Sequence, residues 1–213
     1  MDVRAKQPLF KNLRGYLRLV RRRFCPTSSQ PLDAMCNERQ REERRNKLIV
    51  EITAAFDGVS RENGVTLHEA KAIDDWKLSE ELQSARQLDT EQRWQDIPDE
   101  DLLASDSPLP FFDAKGFRYY LPAFMLCGLK DWENDLSGIL HSCEYHLLHE
   151  SQKSLRQSEP ASIVAKYRFT NAQCKAIASF LRFVVGEDDE FSTAERPTLQ
   201  AVEKWERFVK EHS

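Results

Sequence analysis

Four places in the sequence gather side chains able to do chemistry. His68 stands beside Glu69, with Asp74 and Asp75 following. A histidine and carboxylates around one short helix are the parts of a proton-transfer pair or of a divalent-metal site. The spacing weakens that use. His68 and Asp75 are seven residues apart, about two helical turns, and Glu69 completes the pattern Thr66-Leu-His-Glu69, in which the glutamate closes a capping box. A capped surface helix therefore competes with a reactive centre.

The second place is His141, Cys143, His146 and His149. In a helix the last three stand at neighbouring positions of one face. Zinc favours Cys and His ligands, but three or four must converge, and a single helix does not arrange them tetrahedrally. The preferred assignment puts Cys143 in the core and the histidines at its rim, with no metal and no cofactor.

The third is Phe111-Phe-Asp-Ala-Lys-Gly-Phe-Arg-Tyr-Tyr-Leu-Pro122. Aromatic runs flank Asp113-Ala-Lys-Gly116, a combination that favours a type I turn. The alternation predicts a β-hairpin. Phe117, Tyr119 and Leu121 then share one face, and Arg118 and Tyr120 the other, where an arginine and a hydroxyl could hold an anion. Arg118 pairing with Asp113 or a helix carboxylate is the structural alternative. Trp94 and Asp96, the fourth place, fit a core anchor and a cap. The candidate ligand-binding set is thus Arg118, Tyr120, His68 and Glu69.

The elements that must position these residues are predominantly helical. A first helix is expected from Asp33 to Phe56, ended by Gly58. Thr66 opens a helix with Ala70, Ile73 and Trp76 on one face, and Ser79 opens another with Leu82, Ala85 and Leu88 inward. Pro122 suits the first position of a helix through Leu129. Leu136, Leu140, Cys143 and Leu147 fit a helix moderately, and 154–161 reads as a loop. Thr170-Asn-Ala-Gln173 is a second capping box, ahead of Ile177, Phe180, Leu181 and Val184. A last helix, 197–211, carries Leu199, Val202, Trp205 and Val209, with Glu203–Arg207 and Glu206–Lys210 spaced as ion pairs. The expected fold is mainly α, six or seven helices with one β-hairpin.

Charge divides the chain. Residues 1–33 carry eight Lys or Arg and two acids, a net of +6, so the remainder carries −4 − 6 = −10. Leu9, Leu13, Tyr16 or Leu17, and Val20 form an apolar stripe through the basic arm 1–24, suited to an anionic surface, a partner's groove, organellar import or docking on the body. Cys25 to Pro31 reads as a linker. The expected organisation is an arm and linker, 1–33, and one helical domain, 34–213. The acidic body disfavours nucleic acid and suits a basic protein partner. Five cysteines without a CxxC pair and no secretory leader point to a reducing, cytoplasmic compartment. No apolar run reaches the length of a membrane span. With seven glycines and neither GxGxxG nor GxxxxGK[ST], the common phosphate-cradling loops are absent.

Three segments, GVTLHEAKAIDDW (64–76) with LDTEQRWQDIPDEDL (88–102), FFDAKGFRYYLPAFM (111–125) and FTNAQCKAIASFLRFV (169–184), resemble an uncharacterised, largely bacterial family of unknown function. The resemblance covers residues 46–209. The middle segment is its most specific part and the last its most generic. It implies domain limits and no activity. Two functions stay open: a non-enzymatic interaction or binding module, which the lack of a catalytic constellation favours, and a small hydrolase or metal-dependent enzyme with a site near the hairpin.

Overall fold

A computed structural model describes residues 31–105, 108–130, 138–149, 159–185 and 196–213. The basic arm and the acidic stretch 186–190 lie outside them. The chain divides into two units, Met1–Gln40 and Arg41–Ser213. Of the first, only the opening turns of a helix are described.

Among the described residues there are nine α-helices and no strand: α1 (Pro31–Ala55), α2 (Leu67–Asp74), α3 (Ser79–Arg86), α4 (Asp99–Ala104), α5 (Ala114–Lys130), α6 (Ile139–Leu148), α7 (Pro160–Tyr167), α8 (Asn171–Val185) and α9 (Arg196–Glu211). Two short 3-10 turns, Trp94–Asp96 and Leu109–Phe111, sit between them. The expected hairpin does not form, and the helix count exceeds six or seven. α7 starts within the segment 154–161 expected as a loop, and α4 is a helix beyond those expected.

The residues assigned to the hairpin are the start of α5. Asp113 is its cap, not the corner of a type I turn. The Asp113 Oδ1 accepts from Gly116 N at 2.8 Å, and the Asp113 carbonyl accepts from Phe117 N at 2.8 Å. The aspartate and glycine that signal a turn thus open a helix. Two features conceal this in the sequence. Phe117, Tyr119, Tyr120, Leu121, Phe124 and Met125 are all fully buried, so α5 is apolar all round and carries no one-sided stripe. Pro122, which favours a helix start, lies inside α5 instead. There it removes one helical hydrogen bond, from the Arg118 carbonyl. Burial of the aromatic and aliphatic side chains around it, each contributing roughly 1.5–3 kcal/mol, outweighs that loss.

α5 is the axis of the second unit. It packs against α4, α6, α7 and the Trp94 turn, while α9 crosses α8, α7 and α6. α1 contributes Leu48 and Ile52 to the core, and Phe56 follows directly after it. Trp94 anchors the junction by donating its indole N–H to the Phe56 carbonyl at 2.8 Å, and Trp205 does the same to Leu147 at 3.2 Å. The Thr170–Gln173 capping box forms, with both bonds made (3.0 and 3.3 Å). On α9, Glu206 pairs with Arg182 of α8 at 2.5 and 2.7 Å rather than with Lys210 on its own helix.

Candidate functional site

The loop between α1 and α2 brings the chemistry-bearing residues into position. Gly64 and Gly116 meet back to back. A Cβ on Gly64 would stand 2.5 Å from the Gly116 nitrogen, and one on Gly116 would collide with the Val65 carbonyl. Only paired glycines allow this approach. It lets Asp113 Oδ1 accept from Val65 N at 2.9 Å as well as from Gly116 N, so one carboxylate ties the start of α2 to the start of α5.

Thr66 then caps α2, and both bonds of its box with Glu69 are present. Glu69 Oε2 accepts from Thr66 N at 3.2 Å and from Arg86 Nη1 of α3 at 2.5 Å. The glutamate is fully engaged in holding α2 and α3 together. His68 faces Asp89, whose side chain is 1% exposed. Asp89 Oδ2 accepts from His68 N at 3.0 Å, and Asp89 Oδ1 lies 2.9 Å from His68 Nδ1. An acceptor on Nδ1 places a proton there, so in the neutral ring the lone pair is on Nε2. Arg61 links this pair to the core. It donates to the Asp89 carbonyl at 2.9 Å and to the Tyr120 hydroxyl at 3.0 Å, and its guanidinium lies 5.8 Å from the centre of the Tyr119 ring.

This network bears on what the tyrosines can do. Burial pushes Tyr119 up to about 12 and Tyr120 higher still. Both are neutral hydroxyls at physiological pH, so Tyr120 offers Arg61 a lone pair and no phenolate. Burial works against the Arg61 charge, the hydrogen bond with Tyr120 works for it, and on balance its pKa is raised. Arg61 is a charged strut between α5 and the α1–α2 loop.

Arg118 goes elsewhere. It pairs with Glu62 Oε1 at 3.3 Å and reaches the Tyr167 carbonyl at 3.5 Å. Lys115 also binds Glu62, at 2.6 Å, and its hydrogen bond, with the nearby Arg118, holds the glutamate below the usual carboxylate range. The four candidate residues therefore do not line one cleft. His68 and Tyr120 join a single network through Arg61 and Asp89, Glu69 braces the neighbouring helices, and Arg118 is held by Glu62 and the Tyr167 carbonyl. Arg61 and Asp89 escape a reading of the sequence because they act across 59 and 28 residues of chain, with no local motif to mark them.

The second histidine group does not converge either. His141 is exposed and lies 3.6 Å from Glu144, Cys143 is buried, and His149 Nδ1 approaches the Tyr145 carbonyl at 3.0 Å. Both ring nitrogens of His146 are buried, without a hydrogen-bond partner among the described residues. Among the described residues no three His, Cys, Asp or Glu side chains are grouped to hold a metal ion. Cys127, Cys143 and Cys174 are buried; burial raises the thiol pKa of Cys127, and that of Cys174 to about 11, which removes the thiolate a nucleophile needs. A hollow of about 110 Å³ beside Trp94 and Leu102 has room for a few waters. On its polar rim, which also holds Thr53 and Gln95, Asp99 and Lys130 form an ion pair at 2.5 Å.

The most exposed large apolar side chains lie on the α2–α3 connection. Trp76, expected on the inner face of α2, is 93% exposed, and Leu78 is 74% exposed; Leu88, expected inward after α3, is 63% exposed. α2 ends at Asp74 in a complete Schellman closure, with Trp76 N bonded to the Ile73 carbonyl at 3.1 Å and Lys77 N to Ala72 at 3.0 Å. Trp76 occupies the left-handed position of that closure, with φ +58°, where glycine is usual. This turns its side chain away from the face shared by Ala70 and Ile73. Among the described residues no helix is long and apolar enough to cross a membrane.

A family model described as a family of unknown function (DUF6714) matches residues 44–208. No curated protein and no solved structure matches the chain.

Proposed function

We propose that this chain, which belongs to the DUF6714 family of unknown function, is a non-catalytic interaction module that engages another protein through the α2–α3 connection. One observation carries the reading: the side chains equipped for chemistry brace the fold, whereas a tryptophan and a leucine two residues apart are held in solvent. Glu69, Arg61, Asp89, Tyr120 and Arg118 each hold another part of the chain. Large apolar groups exposed together favour a partner's surface. The test is affinity capture from a native lysate with the full chain and with Trp76→Gly. Proteins recovered by the first and lost by the second are the expected result; identical recovery sinks the reading.

A second reading, as a small hydrolase, rests on His68. Its Nδ1 is held by a buried carboxylate, and in the neutral ring the lone pair is on Nε2, an arrangement suited to accepting a proton. Ester and phosphoester hydrolysis that disappears in His68→Gln is the outcome this reading requires.

A further inference from the structure

We infer that the partner segment received by the α2–α3 connection is basic and amphipathic, an apolar face flanked by Lys or Arg; this rests on the interaction-module reading above. The argument begins with strain. A bulky residue at positive φ is unusual, and left-handed backbone is unfavourable for an L-residue. Glycine would satisfy the Schellman closure of α2 without that cost. Trp76 makes no contact that repays it, since its side chain is in solvent. A strained residue that contributes nothing to packing is evidence for a use outside the fold.

The surroundings specify the partner's chemistry. Asp74-Asp75-Trp76-Lys77-Leu78-Ser79-Glu80-Glu81 holds four acids and one lysine, a net of −4 + 1 = −3. Lys77 is pinned to Glu81 at 3.5 Å and Asp75 is approached by Lys71 at 3.8 Å, both exposed pairs. Such pairs are weak and exchange readily for an incoming cation. The Glu80 carboxylate has no partner among the described residues and is exposed. An apolar prong in an acidic frame complements a segment whose apolar face takes Trp76 and Leu78 while its cations meet the carboxylates. An arginine there can also lie against the indole face. The same frame repels phosphate backbones and anionic headgroups.

The experiment titrates the full chain with fluorescent 16-residue peptides of four compositions: amphipathic Leu/Lys, amphipathic Leu/Glu, amphipathic Leu/Gln, and Lys/Ser without an apolar face. The Leu/Lys peptide is expected to bind at least tenfold more tightly than the others. Trp76→Gly should weaken that binding at least tenfold while unfolding at no lower a temperature, which excludes misfolding as the cause; Trp76→Phe should largely retain it. Asp75→Lys with Glu80→Lys should weaken it and flatten its dependence on salt. Equal binding of the Leu/Glu or Leu/Gln peptide, lost in Trp76→Gly, overturns the basic partner and leaves the interaction module standing. Binding of Leu/Lys unchanged by Trp76→Gly, binding of none of the peptides, or Trp76-dependent binding to vesicles rich in anionic lipid overturns the inference itself, while the lysate comparison decides the module separately.

Discussion

Two kinds of residue in this chain resist substitution for opposite reasons. Gly116 is fixed by space, because a methyl group there meets the Val65 carbonyl, the Asp113 carboxylate and the Phe112 ring together. The backbone of one helix start must then part from the preceding loop. Gly116→Ala should cost about 1–3 kcal/mol, the usual range for forced overpacking, read as a lower denaturant midpoint at unchanged slope; an unaltered midpoint would show that the Gly64–Gly116 contact is slack. Trp76 is fixed by nothing inside the fold. Replacing it with glycine relieves roughly 1–2 kcal/mol of left-handed strain and returns up to about 1 kcal/mol to the freedom of the unfolded chain. Trp76→Gly should therefore leave stability unchanged or raise it by up to about 1 kcal/mol. A clear loss would mean that the indole packs in solution. The sequence marks the first of these sites poorly, since its partner Gly64 lies in a different segment. It marks the second misleadingly, since Trp76 continues the spacing of Ala70 and Ile73 past the point where α2 stops.

At the level of elements, legibility followed how one-sided each helix is. α8 and α9 are amphipathic, and their buried positions Ile177, Phe180, Leu181, Val202 and Trp205 stand where helical spacing puts them. The capping boxes at Thr66 and Thr170 were legible because the motif is local: the cap and its glutamate or glutamine are three residues apart. α5 was not legible, because an element buried on every side has no period to show, and its aspartate, glycine and proline each have an alternative meaning in a turn. The two candidate roles of Asp113 can be separated by experiment. As a hairpin corner it would serve one turn; as observed, it caps α5 and restrains Val65 N. Losing a cap and a second charge-assisted bond together costs on the order of 2 kcal/mol. Asp113→Ala should show that loss in equilibrium unfolding, with Asp113→Asn recovering a good part because its amide oxygen can still cap. Equal loss in both variants would mean that the carboxylate charge, not the cap geometry, carries the effect.

For the molecule as a whole, the consequential feature is a buried histidine that no described residue hydrogen-bonds. His146 sits on α6, which packs against α8 and α9 as well as α5. Among the described residues neither ring nitrogen has a hydrogen-bond partner. Its edge meets the Tyr145 ring at 5.4 Å, and the groups that face it electrically are Lys166 and His149, both of which oppose a positive charge. Burial above all, then these two neighbours, brings His146 down from 6.5 to about 4. The sign of the effect follows from counting protons. Above pH 6.5 neither the folded nor the unfolded histidine is charged, and the stability of the fold is independent of it. Between pH 6.5 and about 4 the unfolded chain takes up a proton that the folded one refuses, so stability falls as pH falls. Below about 4 both are charged and the loss is complete. A displacement of this size corresponds to about 3 kcal/mol at most, a large part of what a domain of this length has in hand. His146→Leu removes the titration while keeping an apolar side chain in an apolar place. Denaturant unfolding at pH 7 and at pH 4 should show the wild-type chain losing more stability than the variant, by an amount approaching that figure. Parallel losses would mean that water or a rearranged α6 reaches His146, and that acid unfolds this protein through its surface carboxylates instead.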